Sequence, residues 1–392
     1  MEYAARAADY ADAVIAGDIV ACELVQAACR RFIADIDRDD IYLSDQGDRW
    51  CRFLEKLPHV KGAWASRRET LRLSDWQVFC TVNIYGWRWV DTNLRRFREV
   101  YVEVPRKNGQ TFWFAGLGLG HLTIDGEFGA EVYCGATTET QAWEVFRPAR
   151  QICERFSAIR ERFAIDVNAK SLVIPDNGSR FLPVIGNPGD GSSPSCAIAD
   201  EYHEHKTSDL VDTMATGMGA REQPLLLIIT TAGTDMGGPC YAKRADVINI
   251  LRGAVTDDRV FGIIFGLDED DRWDTLEAAK KANPNFGVSV NEDFILGQLE
   301  QARRSAAKQN AYRTKHLNQW VGARAAWMNM LAYQRQRRRE LRLEEFRGCR
   351  AFAALDLASK VDVACCAILL EKPGGKLAAF VRHYLPEARI TD

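Results

Sequence analysis

The stretch "VEVPRKNGQTFW", Val102 to Trp113, places a polar loop between an apolar, β-branched run and a second apolar segment. A strand, a glycine-containing loop and a helix in this order form a phosphate-binding loop when the pattern reads G-x-x-x-x-G-K-[ST]. Gly109 and Thr111 fit that spacing, whereas Val104 stands at the first glycine and Gln110 at the lysine. The stretch therefore predicts either a phosphate loop whose cation has moved or a chance polar run before a helix.

The composition of the chain is that of a globular protein. The 392 residues are enough for two or three domains, and a net charge of −3 argues against a protein that coats DNA over its whole surface. Eleven cysteines are scattered without a C-x-x-C pair, which is typical of a reducing compartment without structural zinc. Neither a secretory signal nor an apolar run of membrane-spanning length stands out. We therefore expect a cytoplasmic protein without a membrane anchor.

The hydrophobic pattern changes three times along the chain. Residues 1–60 carry apolar side chains at helical spacing, and residues 61–245 alternate apolar β-branched runs with helical stretches. This alternation predicts a parallel sheet flanked by helices, with strands at "REVYVEV", "GAEVYCGAT", "SLVIP", "SCAIAD" and "PLLLIITTAG". Residues 246–345 are mostly helical and charged, and residues 346–392 start a second sheet. Because the chain reaches Asp392 soon afterwards, we expect that last domain to be incomplete.

The run "SCAIADEYHEH" is an apolar strand that ends in Asp200 and Glu201. In ATPases with a phosphate loop, such an aspartate binds Mg²⁺ and the adjacent glutamate polarises the attacking water. An apolar run followed by Asp-Glu is common, so alone it favours a plain strand end. It gains weight here because it follows a phosphate-loop pattern within one α/β arrangement.

Two further stretches fit around the same nucleotide. The strand "LLLIITTAG" ends in small and hydroxyl residues that can sense the γ-phosphate and pass its loss to a neighbouring element: Thr230, Thr231, Ala232 and Gly233. Upstream, Gln77 could bind the adenine edge through its amide, with Trp76 packed nearby. Taken alone, each is explained equally well by an ordinary strand end or helix start.

Two other patterns suggest cofactors that we do not expect. "GLGLG", Gly116 to Gly120, resembles a dinucleotide fingerprint but lacks the last spaced glycine, so close packing of a helix is favoured. His203 and His205 flank a glutamate but have no third metal ligand in the pattern, so they are predicted to be polar surface residues.

The run "FAALDLASKVDVACCAILL" places Asp356 within an apolar strand and Asp362 after a short polar turn. A carboxylate in such a strand is costly unless it is paired or binds a metal. Two-metal nucleases place an aspartate on the first strand of an RNase H-like sheet and need further carboxylates from later strands. Asp356, and more weakly Asp362, are therefore candidate ligands for Mg²⁺ or Mn²⁺.

Taken together, the motifs resemble the large terminase subunit of tailed double-stranded DNA bacteriophages. The resemblance runs through "DWQVF…YGW", "PRKNGQT", "GATTETQA", "IADEYHEHK", "TTAG", "KKANPNFGVSV", "KHLNQW" and "ALDLASKVD", in that order. The pair "ANPN" and "KHLNQW" is typical of this group. The family's loop has Arg and Lys ahead of Asn-Gly-Lys-Ser/Thr, which is matched at Arg106, Lys107, Asn108, Gly109 and Thr111 and departed from at Gln110.

The resemblance implies a P-loop ATPase, a helical connector and the start of an RNase H-like nuclease, acting as the subunit of an ATP-driven packaging motor for viral DNA. ATP and Mg²⁺ would bind at Gln77 and residues 108–111 with Asp200, while Glu201 serves as catalytic base. Arg106 or Lys107 would supply the missing cation, and Thr230 to Gly233 would couple hydrolysis to movement. The implied partners are double-stranded DNA, the portal protein, the small terminase subunit and further copies of the chain in a ring on the procapsid.

Two other functions stay open at this point. One is a DNA helicase or translocase outside packaging, against which the "ANPN" and "KHLNQW" motifs weigh. The other is a truncated, non-enzymatic prophage remnant, for which Gln110 in the loop and the end of the chain at Asp392 are the supporting features.

Overall fold

The structure is a computed structural model that describes residues 1–185, 191–322, 333, 336–338, 340–357, 364–372 and 374–384. Two compact units divide the chain, Met1–Met328 and Asn329–Asp392. Asp362 lies outside the described residues. Among the described helices, none combines the length and the apolar character needed to cross a membrane.

The first unit is a mixed α/β domain. Its helices are α1 (Glu2–Ala16), α2 (Glu23–Ile36), α3 (Gln46–Leu54), α4 (Gly62–Ser66), α5 (Asp75–Gly86), α6 (Gln110–Thr123), α7 (Glu139–Arg155), α8 (Ser157–Arg162), α9 (Asp209–Gly217), α10 (Pro239–Leu251), α11 (Leu276–Ala282), α12 (Glu292–Arg304) and α13 (Ala306–Leu317). Its strands are β1 (Ile41–Leu43), β2 (Trp87–Trp89), β3 (Glu99–Glu103), β4 (Glu131–Ala136), β5 (Asp166–Val167), β6 (Leu172–Ile174), β7 (Ser179–Ile185), β8 (Cys196–Ala199), β9 (Leu225–Thr230) and β10 (Val260–Ile264).

Eight of these strands form one sheet in the order β10-β3-β9-β8-β4-β7-β6-β5. The six strands from β10 to β7 are parallel, and β6 and β5 complete the edge in antiparallel pairing. Helices pack against this sheet, which confirms the predicted α/β class. Since ligands of such sheets bind at the carboxyl ends of the parallel strands, this edge is where a site is expected.

The buried apolar runs explain why β3, β4, β8 and β9 form where the sequence predicts strands. β8 and β9 are buried at every position, as central strands covered on both faces should be. β9 lies between β3 and β8 although it follows both in the chain. With neighbouring strands about 4.8 Å apart, the ends of β3 and β8 are roughly 10 Å apart.

The glycines of "GLGLG" lie in helix α6 and allow close packing. A Cβ at Gly116 would lie 2.6 Å from Leu54, and one at Gly120 would lie 2.2 Å from the ring of Trp50. Contacts below 3 Å leave no room for a methyl group, so the prediction of small-residue packing is confirmed.

The segment 246–345 is less helical than the pattern suggests. β10 lies inside it and pairs in parallel with β3 along its whole length, from Val260 opposite Glu99 to Ile264 opposite Glu103. The run is short and lies between charged stretches, so it carries only a weak strand signal. Its place beside β3 shows that the sheet uses residues from this segment.

The second unit contains an antiparallel sheet of three strands, β11 (Arg350–Asp356), β12 (Ala364–Glu371) and β13 (Leu377–Tyr384). The predicted strands at "FAALD", "ACCAILL" and "LAAFVRHY" are therefore confirmed, and Gly374 and Gly375 with positive φ form part of the connection between the last two. Asp356 is the last residue of β11 and is exposed.

Candidate active site

The polar loop between β3 and α6 has the backbone of an anion site. Lys107 and Gly109 have φ values of 76° and 83°, and Gly109 caps α6 without a side-chain hydrogen bond. The first N–H groups of a 14-residue helix are therefore unpaired within the helix and point out of its N-terminus, where the helix dipole also favours negative charge. Gln110 and Thr111 form the first turn of this helix, so the hydroxyl of Thr111 lies at the same edge of the sheet.

Val104, which replaces the first glycine of the pattern, continues the strand. It is fully buried, and its N–H donates to the carbonyl oxygen of Thr230 at 3.1 Å, one residue beyond the last strand pair. A position that is still paired as a strand has no need of glycine, which explains why this part of the pattern is absent.

Asp200 and Glu201 follow β8 at the same edge. Burial, with the neighbouring Glu201 carboxylate adding to it, raises the pKa of Asp200 to about 7. A buried carboxylate with little compensating charge is stabilised by a bound cation, so the chemistry of Asp200 fits a Mg²⁺ ligand. Glu201 has a φ of 48°, a left-handed conformation that is uncommon for a residue other than glycine.

Arg106 extends from the phosphate loop toward the carboxylates. Its Nη2 lies 3.7 Å from Oε1 of Glu201, and its Nε is buried without a hydrogen-bond acceptor among the described residues. Lys107 is instead exposed to solvent. Of the two cations considered for the missing lysine, Arg106 is thus the one that the fold brings to Glu201.

The turn Thr230 to Gly233 lies between this centre and residues 318–321. The N–H of His203 donates to the hydroxyl of Thr230 at 3.0 Å, and the N–H of Ala232 donates to Oδ1 of Asn318 at 2.6 Å. A Cβ on Gly233 would lie 3.0 Å from Trp320 and 3.1 Å from Cβ of His203. The turn therefore contacts both the Glu201 loop and the "KHLNQW" segment, while the Thr231 hydroxyl is buried without a partner among the described residues.

Gln77 lies beside the loop but has a local role as well. Its Oε1 accepts the N–H of Ser74 at 3.1 Å in a capping box at the start of α5, and its Nε2 is 3.5 Å from the place of a Cβ on Gly109. Trp76 donates its Nε1–H to Oδ1 of Asn285 at 2.8 Å. A cavity of about 650 Å³ opens beside Trp76, Phe265 and residues 283–286.

The sequence analysis missed Glu103, which lies at the end of the loop's own strand. It is fully buried and accepts hydrogen bonds from four side chains: Tyr101 at 2.6 Å, and Arg244, Asn318 and Trp320 at 3.2 Å each. The signal was present in "VYVEV", since an acidic residue in a buried strand has to be paired. Asn318 contacts both Glu103 and the turn after β9, so this cluster joins the two strand ends.

Comparisons with known proteins fit this arrangement. Residues 75–248 match the family described as "Terminase large subunit, ATPase domain". Over 175 residues the chain is 51% identical to "Protein YmfN" of Escherichia coli (strain K12), covering 45% of this chain and 38% of that protein. Over 299 residues it is 26% identical to "Terminase, large subunit" of Enterobacteria phage HK97, covering 74% of this chain and 57% of that protein.

The fold is also similar to the crystal structure of the HK97 bacteriophage large terminase, with a TM-score of 0.61 and 21% sequence identity, over 88% of this chain and 69% of that one. The alignments with the two curated relatives each cover less than two thirds of the relative's own length.

Proposed function

Because this chain belongs to the family of phage large terminases, we propose that it binds ATP with Mg²⁺ at the carboxyl edge of its sheet and hydrolyses it to move viral double-stranded DNA. The observation that supports this most is the approach of Arg106 to Glu201, with 3.7 Å between Nη2 and Oε1. This contact links the phosphate loop after β3 with the Asp-Glu pair after β8. The ends of these two strands are roughly 10 Å apart, which is the space that a triphosphate and an attacking water would occupy.

The phosphates would be held mainly by backbone N–H groups at residues 107–111 and the N-terminus of α6. Asp200 and the hydroxyl of Thr111 would hold Mg²⁺, which would supply positive charge to the phosphates during their transfer. Arg106 would add a fixed positive charge at the transferring phosphoryl group, the task of the lysine that Gln110 replaces. Gln77 would contact the adenine through the amide nitrogen that its capping bond leaves available.

Glu201 is suited to act as the base. It is partly buried, one oxygen lies 3.7 Å from Arg106 and the other lies 3.3 Å from Nδ1 of His203. Arg106 and His203 flank the carboxylate, whose Oε2 is buried without a hydrogen-bond partner among the described residues. That oxygen would be available to orient a water for in-line attack and accept its proton. His203 also lies 3.1 Å from the hydroxyl of Thr230, so a shift of the base would reach the turn after β9.

That turn would couple the chemistry to movement, since the hydrogen bond from Ala232 would pass a displacement of the turn to Asn318. The family implies the partners: double-stranded DNA, the portal protein, the small terminase subunit and further copies of this chain in a ring on the procapsid. In the second unit, Asp356 would be a Mg²⁺ or Mn²⁺ ligand of a nuclease site, together with Asp362.

The test is ATP hydrolysis by the purified chain. We expect turnover that requires Mg²⁺ and that rises when procapsids carrying the portal and double-stranded DNA are added together, because the motor works against a docked portal. The measurement is phosphate release with DNA alone, procapsids alone and both. Unwinding of a tailed duplex without procapsids would favour a helicase, and an absence of ATP binding would favour a non-enzymatic remnant.

A further inference from the structure

Asn108, in the phosphate loop, is buried and uses every polar atom of its side chain within the protein. Its Nδ2 donates to the carbonyl oxygen of Pro105 and to Oδ1 of Asn283, each at 2.9 Å. Its Oδ1 accepts the N–H of Asn285 at 2.9 Å, and its backbone carbonyl accepts Nδ2 of Asn285 at 2.7 Å. The loop is therefore held from behind by two residues of the "ANPN" motif.

The outer ends of this network are anchored in three different elements. Asn283 donates its Nδ2 to the carbonyl oxygens of Ala279 in α11 and His316 in α13, each at 2.8 Å. Asn285 accepts from Trp76 in α5 at 2.8 Å. In both Asn283 and Asn285, the amide nitrogen faces carbonyl acceptors and the amide oxygen faces an N–H donor. Exchanging the oxygen and nitrogen of either side chain would therefore lose hydrogen bonds at both atoms.

Further contacts hold the same face of the loop. The hydroxyl of Ser289 donates to the carbonyl oxygen of Lys107 at 2.6 Å, and the N–H of Arg106 donates to the carbonyl oxygen of Lys315 at 2.9 Å. The carbonyls of Pro105, Lys107 and Asn108 are thus all bonded to side chains. A carbonyl turned toward a bound anion would repel it, whereas fixing these peptide planes from behind leaves their N–H groups for the anion.

We propose that Asn283 and Asn285 are positioning residues that hold the phosphate loop in its anion-binding shape through Asn108, and that segment 283–289 is therefore the part of the chain that responds when ATP occupies the loop. This inference rests on the proposed function and deepens it. A loop with Gln110 at the lysine position relies more on its backbone N–H groups, so its shape matters more than in a loop with the full charge.

The test compares two Asn→Ala variants from the same region. Asn285 contacts the loop, whereas Asn291 caps α12 by accepting the N–H of Phe294 at 3.0 Å and forms no hydrogen bond to the loop within the described part of the chain. We expect Asn285→Ala to raise the Kd of ATPγS, measured with Mg²⁺ by calorimetry, by ~10- to 100-fold, as loss of several buried hydrogen bonds implies. Asn291→Ala should lower the Tm while leaving that Kd unchanged.

Two additional measurements test the inference even if the Asn285→Ala variant does not fold. Ser289→Ala removes a single hydrogen bond made by a half-buried side chain, and it should weaken ATPγS binding with an unchanged Tm. In the unmutated chain, hydrogen exchange of residues 283–289 should slow when ATPγS binds. A folded Asn285→Ala variant with the Kd of the unmutated chain, or exchange that ATPγS does not alter, would overturn the inference alone. Absence of binding by the unmutated chain would overturn the proposed function, and this inference with it.

Discussion

Replacement of Glu201 by glutamine should abolish ATP turnover, with kcat falling ~10²- to 10⁴-fold as expected for loss of a general base. Glutamine keeps the size of the side chain and its place between Arg106 and His203, but it cannot take a proton from water. ATP binding should remain close to that of the unmutated chain, because Asp200 and the loop are unchanged. The measurement is phosphate release at saturating ATP, together with the Kd of ATPγS.

Glu204→Gln is the matched control for this variant. This substitution also removes a negative charge beside His203, because Oε1 of Glu204 lies 3.4 Å from Nε2 of the imidazole. The Glu204 side chain, however, is 43% exposed. It should retain most of the activity. Hydrolysis by Glu201→Gln at the normal rate would remove Glu201 from the mechanism, and equal inactivity of both variants would point to His203 instead.

Replacement of Arg106 by alanine should lower kcat by ~10²- to 10³-fold, the usual effect of removing one fixed group that stabilises transition-state charge. The neighbouring Lys107→Ala variant should stay within a few fold of normal, because that side chain is exposed and forms no ion pair within the described part of the chain. The double variant should be inactive. The measurement is steady-state hydrolysis, with circular dichroism to confirm folding.

Arg106→Lys refines the interpretation of this series. Lysine keeps the charge but loses the planar fork, so partial recovery relative to Arg106→Ala would indicate that charge matters most. An active Arg106→Ala, Lys107→Ala double variant would contradict the assignment and mean that the cation comes from elsewhere, for instance from a neighbouring subunit.

The elements that form the site edge could be predicted because their signals are local. Strands β3, β8 and β9 are apolar runs, and each is followed by polar residues that the sequence analysis selected. Since parallel strands share one carboxyl edge, the strand ends were enough to predict Asp200 and Glu201 at the same edge of the sheet as the loop. The resemblance to large terminases rested on these motifs and on others further along the chain, such as "ANPN" and "KHLNQW", and the match of residues 75–248 to the terminase ATPase domain confirms it.

The supports behind the loop could not be predicted because they depend on tertiary packing. The spacing of "ANPN" does not indicate that Asn283 and Asn285 form hydrogen bonds with Asn108. Nor does "KHLNQW" indicate that Asn318 connects Ala232 with Glu103. Strand β10 was missed for a related reason, since its place beside β3 is set by packing against helices from the other end of the unit. The choice between Arg106 and Lys107 likewise needed the conformation of the loop, because the two side chains leave it in different directions.

The most direct test of the proposed ATP site is a crystal structure of the chain with ATPγS and Mg²⁺. We expect the β- and γ-phosphates to lie against the backbone N–H groups of residues 107–111 and the metal to lie between Thr111 and Asp200. Arg106 and Glu201 should face the γ-phosphate. The proposed site would be contradicted by a structure in which the loop is empty and the nucleotide is bound elsewhere, for instance with its phosphates at Lys280 in the cavity beside Trp76.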